Sequence, residues 1–312
     1  MKQMRRWISI MIHSASDMRS SEGRGRHMKI LVTGCNGQLG RAINEVYKDE
    51  VASGEVTLIN SDFGVEGALS IDITDLDAVR KIVADEKPDV IINCAAYTNV
   101  NAAESDEATA YRINAEGPKN LAIVSKEADI KLVHISTDYV FDGTNTVPYV
   151  ETDTPKPLGA YGRTKYAGEE FVLENAEKYF IVRTAWLYGD GKNFVRTMLS
   201  LAETHDEVSV VCDQIGSPTS AIELARAIKV LVPTEEYGIY HGTCEGKCSW
   251  ADFTEAIFLI AKKDTKVNHI TTDQYPTPAE RPAYSVLDNK AFRDRLGYEF
   301  ADWKTAIEEY LS

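Results

Sequence analysis

Positive charge is scarce in this 312-residue chain: 34 lysines and arginines stand against 48 aspartates and glutamates, for a formal net charge of −14. Nothing in that balance offsets phosphate repulsion, which argues against a nucleic-acid binder. An anionic ligand would need a local cluster of arginine and lysine. Cysteine is scarce too. Its five copies are odd in number and scattered, which speaks against a disulfide framework and for a reducing cytoplasm. Cys244 and Cys248 have three residues between them, but no second Cys/His pair completes a zinc site. Linkers, low-complexity stretches and internal repeats are also lacking. Apolar content of 44% and charged content of 26% remain ordinary for a globular protein.

The first twelve residues, Met1 to Ile12, carry two arginines and a brief apolar run that faintly resembles a signal peptide. The run is too short to span a membrane, and a polar stretch follows without a small-residue cleavage site. No membrane partner is expected. Met28-Lys-Ile-Leu-Val-Thr-Gly34 reads as a natural start with the first strand at the N-terminus. Residues 1–27 are therefore read as a leader or an over-extended start, expected to be disordered.

From there the chain alternates strand and helix. Strands are expected at Ile30–Thr33, Val56–Ile59, 89–93, 131–136 and Phe180–Arg183. Helices are expected at about 38–48, from a cap at Thr74 or Asp75 to Pro88, at 105–128 with a break near Pro118, and at 159–177. This spacing predicts a Rossmann-like, doubly wound parallel sheet over residues 28–190. After Gly191 the rhythm changes. Helices at 193–204, 219–230, 250–261 and 302–311, with short strands at 208–211 and 238–241, suggest a smaller substrate-binding lobe over 191–312, packed on the first.

A glycine turn, Thr33-Gly34-Cys35-Asn36-Gly37-Gln38-Leu39-Gly40, follows the first strand. The spacing is G-x-x-G-x-x-G. It meets the physical need of a dinucleotide site, in which backbone N–H groups and a helix N-terminus approach a pyrophosphate with no side chain between. An acidic residue some 20 positions on holds the adenine ribose in such sites, and Asp62 is the candidate, with Asn60 as competitor. No arginine lies between 60 and 72 to clamp a 2′-phosphate, so the reading leans to NADH. Arg41, just after the last glycine, leaves room for NADPH. Asp72-Ile73 can reach the adenine, although Asp72 also reads as a helix-capping residue.

Ser136-Thr137-Asp138 ends a later strand, and Tyr161-Gly-Arg-Thr-Lys165 opens a later helix. Tyr161 and Lys165 are four apart and share one helix face. A free phenol titrates near pH 10, and a neighbouring ammonium favours its ionised form. Thr137 at the strand end can bond the substrate oxygen that takes up charge. Together these residues describe proton transfer to a carbonyl or from an alcohol beside a nicotinamide.

These residues resemble the extended branch of the short-chain dehydrogenase/reductases, and within it the dTDP-4-dehydrorhamnose reductases. The strings that carry the likeness are Gly37-Gln-Leu-Gly40, Asn93-Cys-Ala-Ala-Tyr-Thr98, Ser136-Thr-Asp-Tyr-Val-Phe-Asp-Gly143, Tyr161-Gly-Arg-Thr-Lys165, Arg183-Thr-Ala-Trp-Leu-Tyr-Gly189 and Asp213-Gln-Ile-Gly-Ser-Pro-Thr219. Arg281-Pro282 and Ser285 extend it to the C-terminal region. The resemblance implies cofactor contacts from Gly37, Gln38, Leu39, Asp72, Ile73, Ala96, Tyr97, Thr98, Tyr161 and Lys165. It implies that Thr137 and Asp138 meet a sugar that Trp186 borders, and that NADH or NADPH reduces the C4 keto group of a dTDP-4-keto sugar. One departure stands out: Asn101 replaces an aspartate common in the family. Some members hold a magnesium ion between subunits through glutamates; the resemblance does not assign those ligands to particular residues of this chain, and magnesium, though compatible with it, is not predicted. A homodimer is compatible with the resemblance.

Blander roles compete at several positions. Trp186 can be core, and Arg281 can be a surface arginine rather than a contact to the substrate diphosphate. Tyr139, Phe141, Trp250 and Phe253 read as packing residues, and His134, inside an apolar strand, as a satisfied structural histidine. Two other functions share the pattern: a nucleotide-sugar epimerase or dehydratase of the same superfamily, and a non-catalytic regulatory subunit of the methionine adenosyltransferase type. The intact Thr137, Tyr161 and Lys165 set favours catalysis.

Overall fold

The computed structural model describes residues 27–312; of the leader expected over 1–27, all but His27 lies outside the described residues. Largely apolar segments form the six strands of the central sheet, as expected where both faces are covered. These are β1 (Met28–Thr33), β2 (Val56–Ser61), β3 (Val90–Asn93), β4 (Lys131–Thr137), β5 (Tyr179–Thr184) and β6 (Gly238–His241). Their spatial order is β6-β5-β4-β3-β1-β2, and every pairing is parallel.

Alternation along the strands feeds two cores. Ile30 and Val32 of β1 pack with Leu39 and Ile43 of α1 (Gln38–Val46) and with Leu224 and Ile228 of α5 (Ala221–Leu231). Leu31 faces the other way, onto Val79 and Val83 of α2 (Leu76–Glu86), Leu121 of α3 (Gly117–Glu127) and Val172 of α4 (Ala160–Asn175). This is the doubly wound α/β architecture expected from the sequence. Strand order reverses between β1 and β3, so the crevice beyond the carboxyl ends of these strands is where a ligand fits.

Two local differences matter. The helix expected over 105–128 does break just ahead of Pro118. Short helices at Val100–Ala103 and Glu107–Tyr111 lead into a π-turn at Arg112–Glu116, from which α3 continues. Proline is accommodated at the start of α3, where its missing N–H is least needed. The sheet also crosses the boundary placed at 190/191, because β6 lies beyond it and pairs with β5.

The rest of the C-terminal half has its own core, in which Val195, Val208, Phe253, Ile257 and Trp303 meet. Its strand Glu207–Val211 pairs in parallel with Lys266–Ile270, a strand the sequence did not suggest because its residues are half-exposed or exposed. Helix α6 (Trp250–Ile260) starts with a capping box between Ser249 and Asp252. No helix among the described residues is long and apolar enough to cross a membrane.

Candidate active site

Polar residues end the strands that meet at the crevice. Thr33 closes β1, and its hydroxyl donates to Asn93 Oδ1 at 2.6 Å. The Asn93 amide lies 3.1 Å from His134 Nδ1 on β4, and Asn93 Oδ1 also accepts from the Ala95 amide at 3.2 Å. This buried chain ties the ends of β1 and β3 to the middle of β4. His134 is only half satisfied, since its Nε2 has no hydrogen-bond partner. Burial first, and then the Lys165 charge, push its pKa well below the ordinary imidazole value, so it stays neutral.

Above these tips lies a cavity of about 890 Å³, lined among others by Gly37, Asp62, Ala96, Thr137, Tyr161 and Trp186. Gly34 adopts a φ of +65°, and a Cβ there would come within 2.7 Å of the Ala95 amide nitrogen, so the turn tolerates no side chain. No side chain caps the N-terminus of α1, which leaves its first N–H groups facing the cavity. An open glycine cradle beneath an uncapped helix end fits a dinucleotide pyrophosphate. Gln38 Oε1 accepts from the Gly189 amide at 2.8 Å, joining the glycine turn to the segment that follows β5.

Asp62 stands at the end of β2. Its carboxylate accepts from the Asn36 amide at 3.1 Å and the Phe63 amide at 3.0 Å, which fixes it beside the glycine turn. Asp72 and Ile73 line the same end of the cavity. Asp72 does not cap α2; its Oδ1 accepts from the Thr74 amide and hydroxyl, while Asp75 provides the cap. Arg41 is engaged elsewhere, donating to Asp190 at 2.8 Å and to the Asn36 carbonyl at 2.9 Å.

Of the other cofactor residues read from the sequence, Gly34, Leu39, Ala96 and Thr98 line the cavity, whereas Gly40 and Tyr97 stand outside its lining. Tyr97 is held from behind by Asn114. The Asn114 side chain accepts from the Tyr97 amide at 2.8 Å and donates to its carbonyl at 3.1 Å. Sequence reasoning missed Asn114; its only signal is the π-turn that aims it inward, a backbone feature with no residue signature.

At the other end, α4 presents Tyr161 and Lys165 to the cavity. Glu104 Oε1 accepts from the Ala160 amide at 2.7 Å and so anchors the first turn of this helix. Lys165 is buried, and its Nζ donates to the Ile135 carbonyl of β4 at 2.6 Å. Burial lowers its ammonium to about 8, opposed by the charge of Glu169. The Tyr161 phenol is not brought down as the sequence suggested. Burial pushes it above its ordinary value, and the Thr137 hydroxyl facing it opposes that rise. Tyr161 therefore carries its proton at neutral pH.

Thr137 donates to Asp138 Oδ1 at 3.0 Å. Asp138 is buried at the cavity wall with no hydrogen bond to its Oδ2, and burial lifts its carboxyl to about 6. Tyr139 and Trp250 are more than packing residues, because both line the cavity. The Tyr139 ring meets Tyr161 edge-on at 5.5 Å, and its hydroxyl accepts from Arg281 at 2.9 Å. Arg281 also donates to Asn101 Oδ1 at 3.4 Å, so the residue that departs from the family pattern touches a basic group of the cavity lining. Phe141 and Phe253 are core, as expected.

Sheet order, glycine cradle and the Thr137–Tyr161–Lys165 group together define a nicotinamide-dependent oxidoreductase of the short-chain dehydrogenase/reductase type. The family described as RmlD substrate binding domain matches residues 28–312, and the chain belongs to it. It is 41% identical over 293 residues to the dTDP-4-dehydrorhamnose reductase of Aggregatibacter actinomycetemcomitans, covering 90% of this chain and 97% of that protein. The crystal structure of a dTDP-4-dehydrorhamnose reductase from Clostridium acetobutylicum superimposes with a TM-score of 0.87 at 48% identity, over 91% of this chain and 98% of that one. A Bacillus anthracis dTDP-4-dehydrorhamnose reductase, solved in complex with NADP, gives 0.85 at 40% identity, over 91% and 98%.

Proposed function

We propose that this protein reduces the C4 keto group of dTDP-4-dehydro-L-rhamnose with NADPH or NADH, giving dTDP-L-rhamnose. The observation that carries the reading is the meeting of Thr137, Tyr161 and Lys165 at one end of a cavity whose other end is the glycine cradle. The bound dinucleotide supplies a hydride to C4. The chain's residues do the rest. Gly34, Gly37 and the α1 N-terminus hold the pyrophosphate, Asp62 takes the adenine ribose, and Asp72 and Ile73 flank the adenine.

Thr137 orients the keto oxygen by hydrogen bonding. Tyr161, protonated and within the same wall, delivers its proton to that oxygen as charge develops there. Lys165, charged and buried, holds the ribose of the nicotinamide and stabilises the phenolate left behind. Trp186 borders the sugar, Asp138 meets one of its hydroxyls, and Arg281 pairs with the diphosphate as a local cation in an acidic protein.

The test follows absorbance at 340 nm with the protein, NADH or NADPH, and dTDP-4-keto-6-deoxy-L-mannose made in situ, with Tyr161→Phe alongside. Cofactor oxidation by the parent, and a loss of roughly 10²–10⁴-fold in the variant, is the expected result. Cofactor binding without oxidation by the parent would overturn the substrate assignment.

A further inference from the structure

Between α4 and β5, outside the cavity lining, two opposite charges are taken completely out of water. Arg183 of β5 and Glu169 of α4 form a two-pronged ion pair, Nε to Oε1 at 2.9 Å and Nη2 to Oε2 at 2.7 Å, with side-chain exposures of 2% and 0%. The guanidinium is walled in further by the Phe141 ring at 5.2 Å and by His241 Nε2 at 3.4 Å from Nη1. His241 adds no charge, because burial and then Arg183 hold it down to about 3. Such a pair is costly to desolvate, and apolar residues of similar volume would serve the fold as well. Its retention asks for another purpose.

That purpose lies one helical turn away. Glu169 follows Lys165 by four residues on α4, and both are buried on the sheet side of the helix. The other titratable groups around the Lys165 ammonium are Cys94 beyond β3, His134 on β4, and Tyr161 on α4. Burial raises the Cys94 thiol to about 12, so it is neutral, as are His134 and Tyr161. Asp138, beyond Thr137, is turned toward the cavity. Glu169 is the carboxylate whose charge acts on Lys165.

We propose that Glu169 is a positioning residue for the reduction: its carboxylate, locked by Arg183, keeps the Lys165 ammonium charged and seated against the Ile135 carbonyl behind Tyr161. The inference rests on the roles given above to Tyr161 and Lys165. Glu169 touches neither substrate nor cofactor and acts through the lysine alone.

The test compares pH profiles of kcat for the parent, Glu169→Asp and Glu169→Gln, together with NADPH affinity across the same pH range by fluorescence titration. Removing the carboxylate favours loss of a proton from Lys165 and Tyr161 alike, so the alkaline limb of Glu169→Gln moves to lower pH. A shift of about one unit is expected, which is about a tenfold loss of kcat above the limb and little change below pH 7. NADPH affinity weakens over the same pH interval, and Glu169→Asp restores most of both. Because the single variant leaves Arg183 unpaired, Glu169→Gln with Arg183→Met serves as a second variant, lacking both charges, and should show a shift in the same direction, smaller because a neighbouring cation is lost as well.

A folded variant with the parent's pH profile would overturn the proposal, as would failure of both variants to fold, which would assign the pair to the fold alone. Absence of keto-sugar turnover in the parent would remove the substrate reading instead. The pH dependence of NADPH binding would still decide the role of Glu169.

Discussion

Trp186 and Trp250 lie face to face, with ring centroids 3.5 Å apart and planes within 8° of parallel. The first follows β5; the second opens α6 of the C-terminal lobe. Trp186 takes a φ of +47°, which a bulky side chain rarely adopts, and Gly216 sits against its indole where a Cβ would approach within 2.4 Å. Phe194 supports Trp250 from a third element at 4.4 Å. The stack holds a strained residue in place, and both of its indoles line the cavity.

Trp250→Ala should therefore loosen Trp186 without touching the proton-transfer group. Aromatic pairs contribute about 0.5–1.5 kcal/mol beyond area burial, so KM for the keto sugar should rise roughly 2–10-fold with kcat nearly unchanged. Steady-state kinetics check this, with the inhibition constant of dTDP, which lacks the sugar, as control. An equal rise in both constants would place the stack at the nucleotide instead.

Arg281 is half-buried, held by neutral partners at Tyr139 and Asn101, and free of any ion pair among the described residues. An unneutralised guanidinium in a cleft is matched to an anion. Arg281→Ala should weaken dTDP binding by about 1.5–3 kcal/mol, or roughly 10–150-fold, and parent affinity should fall with salt. Tyr139→Phe should give a smaller loss, because it removes a hydrogen bond and not the charge. Competitive inhibition by dTDP at two ionic strengths reads both.

Part of this site was legible in the chain and part was not. The glycine turn, Thr137 and the Tyr161–Lys165 pair are local patterns in which residue type and spacing carry the chemistry, and the alternation of strands and helices told where they stand. Trp250 and Tyr139 were hidden because an aromatic on an apolar helix face and one after a strand look like core until their neighbours are known. Asn114 was hidden because a π-turn leaves no residue signature. Strand β6 was hidden as a member of the central sheet because its pairing with β5 joins segments more than fifty residues apart. Long-range placement was what the sequence could not show.

Asp138 gives a pH prediction with a definite sign. Its carboxyl titrates near 6 in the folded protein, lifted by burial, against an ordinary value of 3.8. Between those values the folded state holds a proton that the unfolded chain has lost, so this group's contribution to stability is lost as pH rises through that interval. Above pH 7 the ionised carboxylate destabilises the fold by about 2–3 kcal/mol. Asp138→Asn should consequently raise stability by up to that amount at pH 8 and change it little at pH 3.5, as read by urea denaturation at the two pH values. Equal effects at both would show that the gain is not electrostatic.

Cofactor choice should turn on Asp62. Its carboxylate is fixed by two backbone amides at the end of β2, where an adenine ribose would lie, and Arg41, the basic residue that follows the glycine turn, is already paired with Asp190. A 2′-phosphate would face that carboxylate without a clamp. Asp62→Asn keeps an acceptor for the Asn36 amide and removes only the charge. It should raise kcat/KM for NADPH relative to NADH by about tenfold, or about 1.4 kcal/mol, which is the order expected for one charge acting on a phosphate near the protein surface. The change should lie in KM, since the reacting end of the cavity is untouched, and it should shrink at high salt. A ratio that stays at the parent's value would mean that Asp62 does not face the ribose, and that the choice between cofactors is made elsewhere on the cavity wall.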